Sequence, residues 1–261
     1  MENAILLHNG HWRKKPFKIT IKRGLLNKLL KFHNTQTIQI IAGLRRSGKS
    51  SLLKLYINEL IKTVNPGTIL FINFDDPNYS EIYNNPHKIQ DIVDIAEKLT
   101  GVQIKYLFLD EIQSVVGWEK YIKSVYDADK FKKICITGSN SKLLMGSYSN
   151  LLSGRYVLSQ MYPLSLAEML VHFGFPDEMS LLRGKPAVLN RIENGLKQGT
   201  FPEVLLQDDE EIKHEILTNY YDSILIKDCI INKGIRDSKS FKELAFYIFN
   251  NLGVPFSYNS L

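Results

Sequence analysis

Apolar residues recur along this chain in two rhythms. Short, mostly apolar runs lie at 38–42, 69–74, 106–109 and 134–137, each the length of one strand buried on both faces. Between them apolar residues return every three or four positions: Leu25, Leu26, Leu29, Leu30 and Phe32, then Leu52, Leu53, Tyr56, Leu60 and Ile61, then a stretch over 87–99, then Trp118, Tyr121, Ile122 and Val125. That spacing predicts helices with one face turned inward. Asn65-Pro66-Gly67 ends the second of them, and Gly101 follows the third. Residues through Pro16 keep no period and predict an extended arm leading to a short strand over 17–21. Buried strands alternating with amphipathic helices predict an α/β fold, a parallel sheet flanked by helices, with any ligand at the carboxyl edge of the strands.

The first run feeds directly into Gly43-x-x-x-x-Gly48-Lys49-Ser50, and an amphipathic helix follows at once. This is the P-loop pattern in the strand-to-helix setting its mechanism needs. Gly43 and Gly48 allow a tight turn, so that backbone N–H groups at a helix N-terminus face the phosphates of a nucleotide. Lys49 is then placed for the β and γ phosphates and the Ser50 hydroxyl for Mg²⁺. The expected nucleotide-binding residues are Gly43, Arg45, Arg46, Ser47, Gly48, Lys49, Ser50 and Ser51.

The run 106–109 ends in Asp110-Glu111, two carboxylates at the carboxyl end of a buried strand. In a P-loop protein this is where metal and attacking water are handled. Asp110 would hold Mg²⁺ through the ion's water shell, and Glu111 would polarise a water aimed at the γ-phosphate. The strand at 134–137 ends in Gly138-Ser139-Asn140-Ser141, which offers Asn140 or Ser139 as a sensor of phosphate state, or as a cap for the helix that follows. Asp75-Asp76 after the second strand reads first as a turn, secondarily as a contact to metal or water. No Asn-Lys-x-Asp turn is in place to select guanine, so the expected nucleotide is ATP.

Composition narrows the class without naming a partner. A chain of 261 residues with 44% hydrophobic and 23% charged residues matches a globular protein of one large domain and a smaller one or part of one. No apolar run is long enough to span a bilayer and no secretory pattern opens the chain, so the expectation is a cytoplasmic protein without a membrane partner. Cys135 and Cys229 lie in no metal-ligand spacing, and Cys135 reads as a small buried hydrophobe. His8 and His11 lack further ligands for a metal site. The net charge of +6 gathers early, in Arg13-Lys14-Lys15, Lys18, Lys22 and Arg23 and in the loop itself; basic residues around bound phosphate are needed with or without nucleic acid, so the charge alone does not argue for DNA, and a solvated basic face is the reading preferred.

Several phrases together resemble one family. Gly-Leu-Arg-Arg-Ser-Gly-Lys-Ser from Gly43, Leu-Phe-Leu-Asp-Glu-Ile-Gln from Leu107 and Thr-Gly-Ser-Asn from Thr137 are followed by Leu152-Ser153-Gly154-Arg155-Tyr156, Tyr162-Pro163-Leu164-Ser165, Gly199-Thr200-Phe201-Pro202-Glu203 and a helix ending near Lys227-Asp228. The set is similar to the prokaryotic AAA+ type ATPases in which an ATPase module precedes a winged helix and a nuclease-like C-terminal domain. The resemblance implies that Lys49 and Ser50 take the nucleotide, Asp110 the metal, Glu111 the water and Asn140 the first sensor role. It also implies Arg155 as the group that stabilises γ-phosphate charge, in its own subunit or a neighbour's, although an arginine there is equally a structural ion-pair partner. Arg45 and Arg46 would contact phosphate or an adjoining subunit.

Three regions are expected: an ATPase core over 1–165, a helical region over 166–235 and the start of a winged-helix unit over 236–261. Ile212, Ile216, Leu217, Tyr220, Tyr221, Ile224 and Leu225 predict one long helix over 210–231; Phe241, Leu244, Ala245, Ile248 and Phe249 predict another. Ser257 would cap a further helix, and the chain stops before a recognition helix and wing, so it reads as truncated and the residues present would not read DNA through that unit. The expected function is a Mg²⁺-dependent ATPase that couples hydrolysis to a conformational change in a protein or nucleic-acid partner, with self-association as a further expectation. The alternatives are an ATP-dependent switch with negligible turnover and, behind it, a small-molecule kinase.

Overall fold

The computed structural model describes residues 1–139, 151–231, 234–255 and 257. Strands β1 (Ile38–Gly43), β2 (Ile69–Asn73), β3 (Tyr106–Asp110), β4 (Lys133–Ser139) and β5 (Tyr156–Met161) form one parallel sheet in the order β2-β3-β4-β1-β5. The strand that leads into the P-loop is therefore separated from the strand that carries Asp110 by β4. Gly43 is level with Ser139 and with Met161, so the ends of β1, β4 and β5 share one edge of the sheet.

Period-two alternation divides each strand between two cores. On one face Ile38, Ile40 and Ala42 of β1, Leu107 and Leu109 of β3 and Ile134 and Ile136 of β4 pack beneath helices α1 (Glu2–His8), α4 (Ile89–Thr100) and α5 (Trp118–Asp127). On the other, Ile41, Phe71, Phe108 and Cys135 meet α2 (Leu25–Lys31) and α3 (Lys49–Leu60) through Leu29, Leu52, Leu53 and Tyr56. Helices thus cover both faces, which is the α/β P-loop NTPase arrangement. The Cys135 thiol is fully enclosed, and burial pushes its pKa up to about 12.

The amino-terminal arm departs from the sequence expectation. It folds as α1 and a 3₁₀ turn (Gly10–Arg13), and 17–21 makes no strand. Its role is to close the outer edge of β2. The Asn9 amide donates to the Phe71 carbonyl at 2.9 Å and accepts from the Phe71 N–H at 2.8 Å, while Trp12 Nε1 donates to the Ile69 carbonyl at 2.7 Å. Polar side chains satisfy backbone groups that an edge strand would otherwise present to solvent or to another chain. His11 Nε2 lies 3.1 Å from the same Ile69 oxygen, and burial lowers its pKa to about 4. His8 pairs with Asp76 at 3.1 Å, so the two histidines serve different partners. Asp76 also caps the 3₁₀ helix Pro77–Ile82, the turn role read from the sequence.

The chain divides into two compact units, Met1–Leu206 and Gln207–Leu261. The first also holds α6 (Leu166–His172), which opens with a full capping box between Ser165 and Glu168. In the second, the helix from Glu210 ends as α-helix at Ser223 and continues as π-helix over Ile224–Ile231, where one unbroken helix was expected. A further helix, Ser238–Asn250, is capped by Asp237. Residues 258–261, where the capped helix was expected, lie outside the described residues, and no described helix is long and apolar enough to cross a membrane.

Candidate nucleotide site

The loop between β1 and α3 is built on backbone conformations that few residues adopt. Gly48 has φ +96°, in the left-handed region, and Arg46 takes φ 64° beside it. At Gly43 a Cβ would lie 2.3 Å from the Met161 carbonyl oxygen, so β5 can pass this close only to a glycine. Ser47 is buried, its hydroxyl donating to the Leu44 carbonyl at 2.9 Å. Lys49, Ser50 and Ser51 form the first turn of α3, whose N–H groups have no partner within the helix.

Lys49 is 4% exposed and donates to the carbonyls of Gly43 at 3.2 Å and Leu44 at 3.1 Å. Its Nζ also stands 3.5 Å from Glu111 Oε1. Asp110 is 1% exposed, and Ser50 is close enough to lower the pKa of its carboxyl, so β3 and the start of α3 meet at these two residues. Burial, opposed by Ser50 and by the hydrogen bond from Thr137, pushes the Asp110 carboxyl up to about 6. The Glu111 backbone is left-handed at φ 54°, an uncommon conformation for a glutamate that turns its carboxylate toward the loop.

Three further residues join the cluster without having been singled out in the sequence. Thr137 of β4 donates its hydroxyl to Asp110 Oδ1 and accepts the Glu111 N–H at 3.1 Å. The signal was a hydroxyl in an otherwise apolar strand. Gln113 donates to Glu111 Oε2. Arg23 is 8% exposed: Nη1 donates to the Ser47 carbonyl of the loop at 2.6 Å, Nη2 to the Tyr162 carbonyl at 2.8 Å, and Nε to Glu168 Oε1 at 3.1 Å. In the sequence, Ser165-x-x-Glu168 marks only a helix start.

The expected loop residues, Asp110 and Glu111 therefore converge on one edge of the sheet. Ser139 lies there too, its hydroxyl buried and without a hydrogen-bond partner among the described residues. Arg46 Nη1 sits 3.6 Å from Glu203, and Arg45 is half-buried in the loop. Arg155 is not brought to this cluster: it precedes β5 at the amino edge of the sheet, about 20 Å along the strand from Met161 at ~3.3 Å per residue. There Nε pairs with Asp127 at 3.2 Å. Asn140 lies outside the described residues.

The donor set fits magnesium held with phosphate. Ser50 and Asp110 offer hard oxygens, and no group of three or more His, Cys, Asp or Glu able to hold a metal occurs among the described residues. An ion here would complete its shell with phosphate oxygens and water, as Mg²⁺ commonly does.

A parallel sheet with a glycine-turned loop, a buried lysine and an acidic pair at one edge defines a P-loop NTPase. A family profile described as "AAA domain" matches residues 35–170, and the chain belongs to that family, whose members are nucleotide-binding proteins of the ATPase type. An uncharacterized protein of Haemophilus influenzae is 36% identical over 237 residues, covering 89% of this chain and 56% of the relative. The uncharacterized protein MJ1544 of Methanocaldococcus jannaschii is 34% identical over 215 residues, covering 82% and 46%. The chain thus spans about half the length of the curated relatives it matches. Among solved structures, the Walker-type ATPase paby2304 of Pyrococcus abyssi superposes with a TM-score of 0.43 at 14% identity, covering 92% of this chain and 81% of that one.

Proposed function

We propose that the chain is a Mg²⁺-dependent ATPase that uses hydrolysis to change the conformation of a partner. The observation that carries the reading is Lys49 Nζ at 3.5 Å from Glu111 Oε1, with the buried Asp110 and Ser50 next to them. Lys49 and the amides of the first turn of α3 would bind the β and γ phosphates, displacing Lys49 from Glu111. Ser50 and Asp110 would hold Mg²⁺, which when bound neutralises phosphate charge. Glu111 would then accept the proton of a water whose oxygen attacks the γ-phosphorus as the bond to the β-γ bridging oxygen breaks. Arg155 enters this reading only as a group presented to a neighbouring subunit, and Asn140 as the sensor. The helix Ser238–Asn250 would begin a winged-helix unit.

The test is ATP turnover by Glu111→Gln. The reading expects ATP binding retained and turnover lowered by at least 100-fold, within the range of a lost positioned base; turnover equal to wild type overturns it. A second reading is favoured by one observation: both Glu111 oxygens are engaged, one by Lys49 and one by Gln113, which holds the carboxylate off a water. That reading is an ATP-dependent switch, and it expects wild-type turnover no faster than that of Lys49→Ala, with ATP bound by wild type alone.

A further inference from the structure

Between Glu2 and Glu59 the sequence contains no Asp or Glu, although twelve of its 33 Lys and Arg residues fall in that interval. The nucleotide loop and α3 account for four of them, Arg45, Arg46, Lys49 and Lys54, and Arg23 is buried against Ser47 and Glu168. The remaining seven, the run 13–15 with Lys18, Lys22, Lys28 and Lys31, are all exposed. None of the seven pairs with a carboxylate among the described residues. Elsewhere on the surface lysines do find acids, as in Lys62–Glu59, Lys88–Glu81, Lys123–Asp127 and Lys197–Glu193.

The fold gathers these cations on one layer. Phe17 is tied to α3 by two backbone bonds to the Asn58 side chain, both 2.8 Å. Beyond it Ile19 and Ile21 turn inward while Lys18, Thr20 and Lys22 are exposed, the alternation of an extended segment. In α2, Leu29 is buried on the α3 core while Lys28 and Lys31, one turn apart, face out. The extended segment 17–22 and α2 thus form the outer side of the layer that covers the α3 face of the sheet, and Arg23, at their junction, holds the Ser47 carbonyl of the loop.

We infer that this acid-free face binds the phosphodiester backbone of a nucleic acid, without reading its sequence. Unpaired, solvated lysines spread over an extended segment and an adjoining helix suit a line of phosphates, where each neutralised phosphate releases counterions. A bilayer surface would need apolar groups to insert, and no large apolar side chain from 13 to 31 is among the exposed ones. The inference goes beyond the ATPase reading and does not rest on it.

The test is binding of a fluorescent mixed-sequence DNA duplex of about 30 base pairs to the full chain across a salt series, a length well beyond the phosphates that seven cations can neutralise. Wild type should bind with an affinity that falls steeply as salt rises. The variant carrying Lys18→Gln, Lys22→Gln, Lys28→Gln and Lys31→Gln should have a log–log salt slope shallower by about 2 to 4, at roughly 0.9 per lost phosphate contact. The same four positions changed to Arg should restore the slope, which separates charge from misfolding. Glutamine at the paired lysines Lys62, Lys88, Lys123 and Lys197 should leave it unchanged, and so should Lys49→Ala, so this inference and the ATPase reading fail separately. Absence of binding at low salt, or equal loss in the paired-lysine control, overturns the proposal. Phosphatidylserine vesicles that displace the duplex through the same four lysines at lower total phosphate would assign the face to a membrane and also overturn it.

Discussion

Thr137 donates its hydroxyl to Asp110 and, with the same oxygen, accepts the N–H of Glu111. One side chain of the intervening strand β4 thereby fixes both acidic residues at the carboxyl end of β3, the first through its carboxylate and the second through its backbone. Thr137→Val keeps the shape and removes both bonds. A buried carboxyl that loses its donor costs about 1–3 kcal/mol, and the left-handed turn at Glu111 loses its anchor. The expected outcome is a urea midpoint lowered accordingly and ATP turnover lowered more than ATP affinity, measured by denaturation, titration and steady-state kinetics. Unchanged stability and turnover would show that the bond does neither.

Asp110 makes the free protein sensitive to pH. Its carboxyl is raised from 3.8 to about 6 by burial, so between those values the folded chain holds a proton that the unfolded chain has released. Stability from this group is full below about pH 4, falls as pH rises toward 6 and is flat above it. Asp110→Asn, which keeps an acceptor for Thr137, should stabilise the nucleotide-free protein at pH 7.5 by about 1–3 kcal/mol, since a tenfold change in proton affinity corresponds to ~1.4 kcal/mol. It should change little at pH 4. A denaturation series at the two pH values decides this, and equal effects at both would contradict it.

Gly43 touches β5 where a methyl group has no room. In Gly43→Ala the new Cβ would meet the Met161 carbonyl at 2.3 Å, so β1 and β5 must part at the loop. Overpacking of this kind costs about 1–3 kcal/mol. Thermal unfolding should shift down, and isothermal titration should find ATP affinity reduced by tenfold or more. Native melting with intact affinity would mean that the strands yield freely.

Arg23 ties three segments together, and its removal should be felt in each. Burial pushes the Glu168 carboxyl up, and the Ser165 and Gly24 amides with the Arg23 guanidinium more than reverse this, holding it below the usual glutamate range. The stability it lends is present above the unfolded glutamate pKa and is lost as pH falls through the lower folded value. Arg23→Met leaves that carboxylate without its cation, a loss on the order of 3 kcal/mol for a buried pair, and a shallower acid limb in the stability profile is expected. The double variant with Glu168→Gln should be less damaged than the sum of the two; simple additivity would argue against direct coupling.

How much of this was legible in the sequence depended on what each residue had to do. Runs such as 106–109 announced strands because burial on both faces leaves no polar positions, and the P-loop and Asp110-Glu111 announced themselves because phosphate and metal chemistry demand particular residues at fixed spacing. Asn9 and Trp12 carried no such mark: nothing in an asparagine or an indole says that it will stand in for a neighbouring strand. Arg155 was legible in position though not used so, since whatever precedes a parallel strand lies at the edge opposite the loop. The left-handed turn at Glu111 and the reach of Arg23 across 145 residues to Glu168 arise from tertiary packing and left no local trace.

The arm that borders β2 has a practical corollary. Trimming the first dozen residues, or crowding them with an affinity tag, would remove no idle tail. It would strip the selvedge from the sheet and leave the Ile69 and Phe71 backbone open to zipping with another molecule, so precipitation of such a protein would report a lost hem and leave the nucleotide chemistry unjudged.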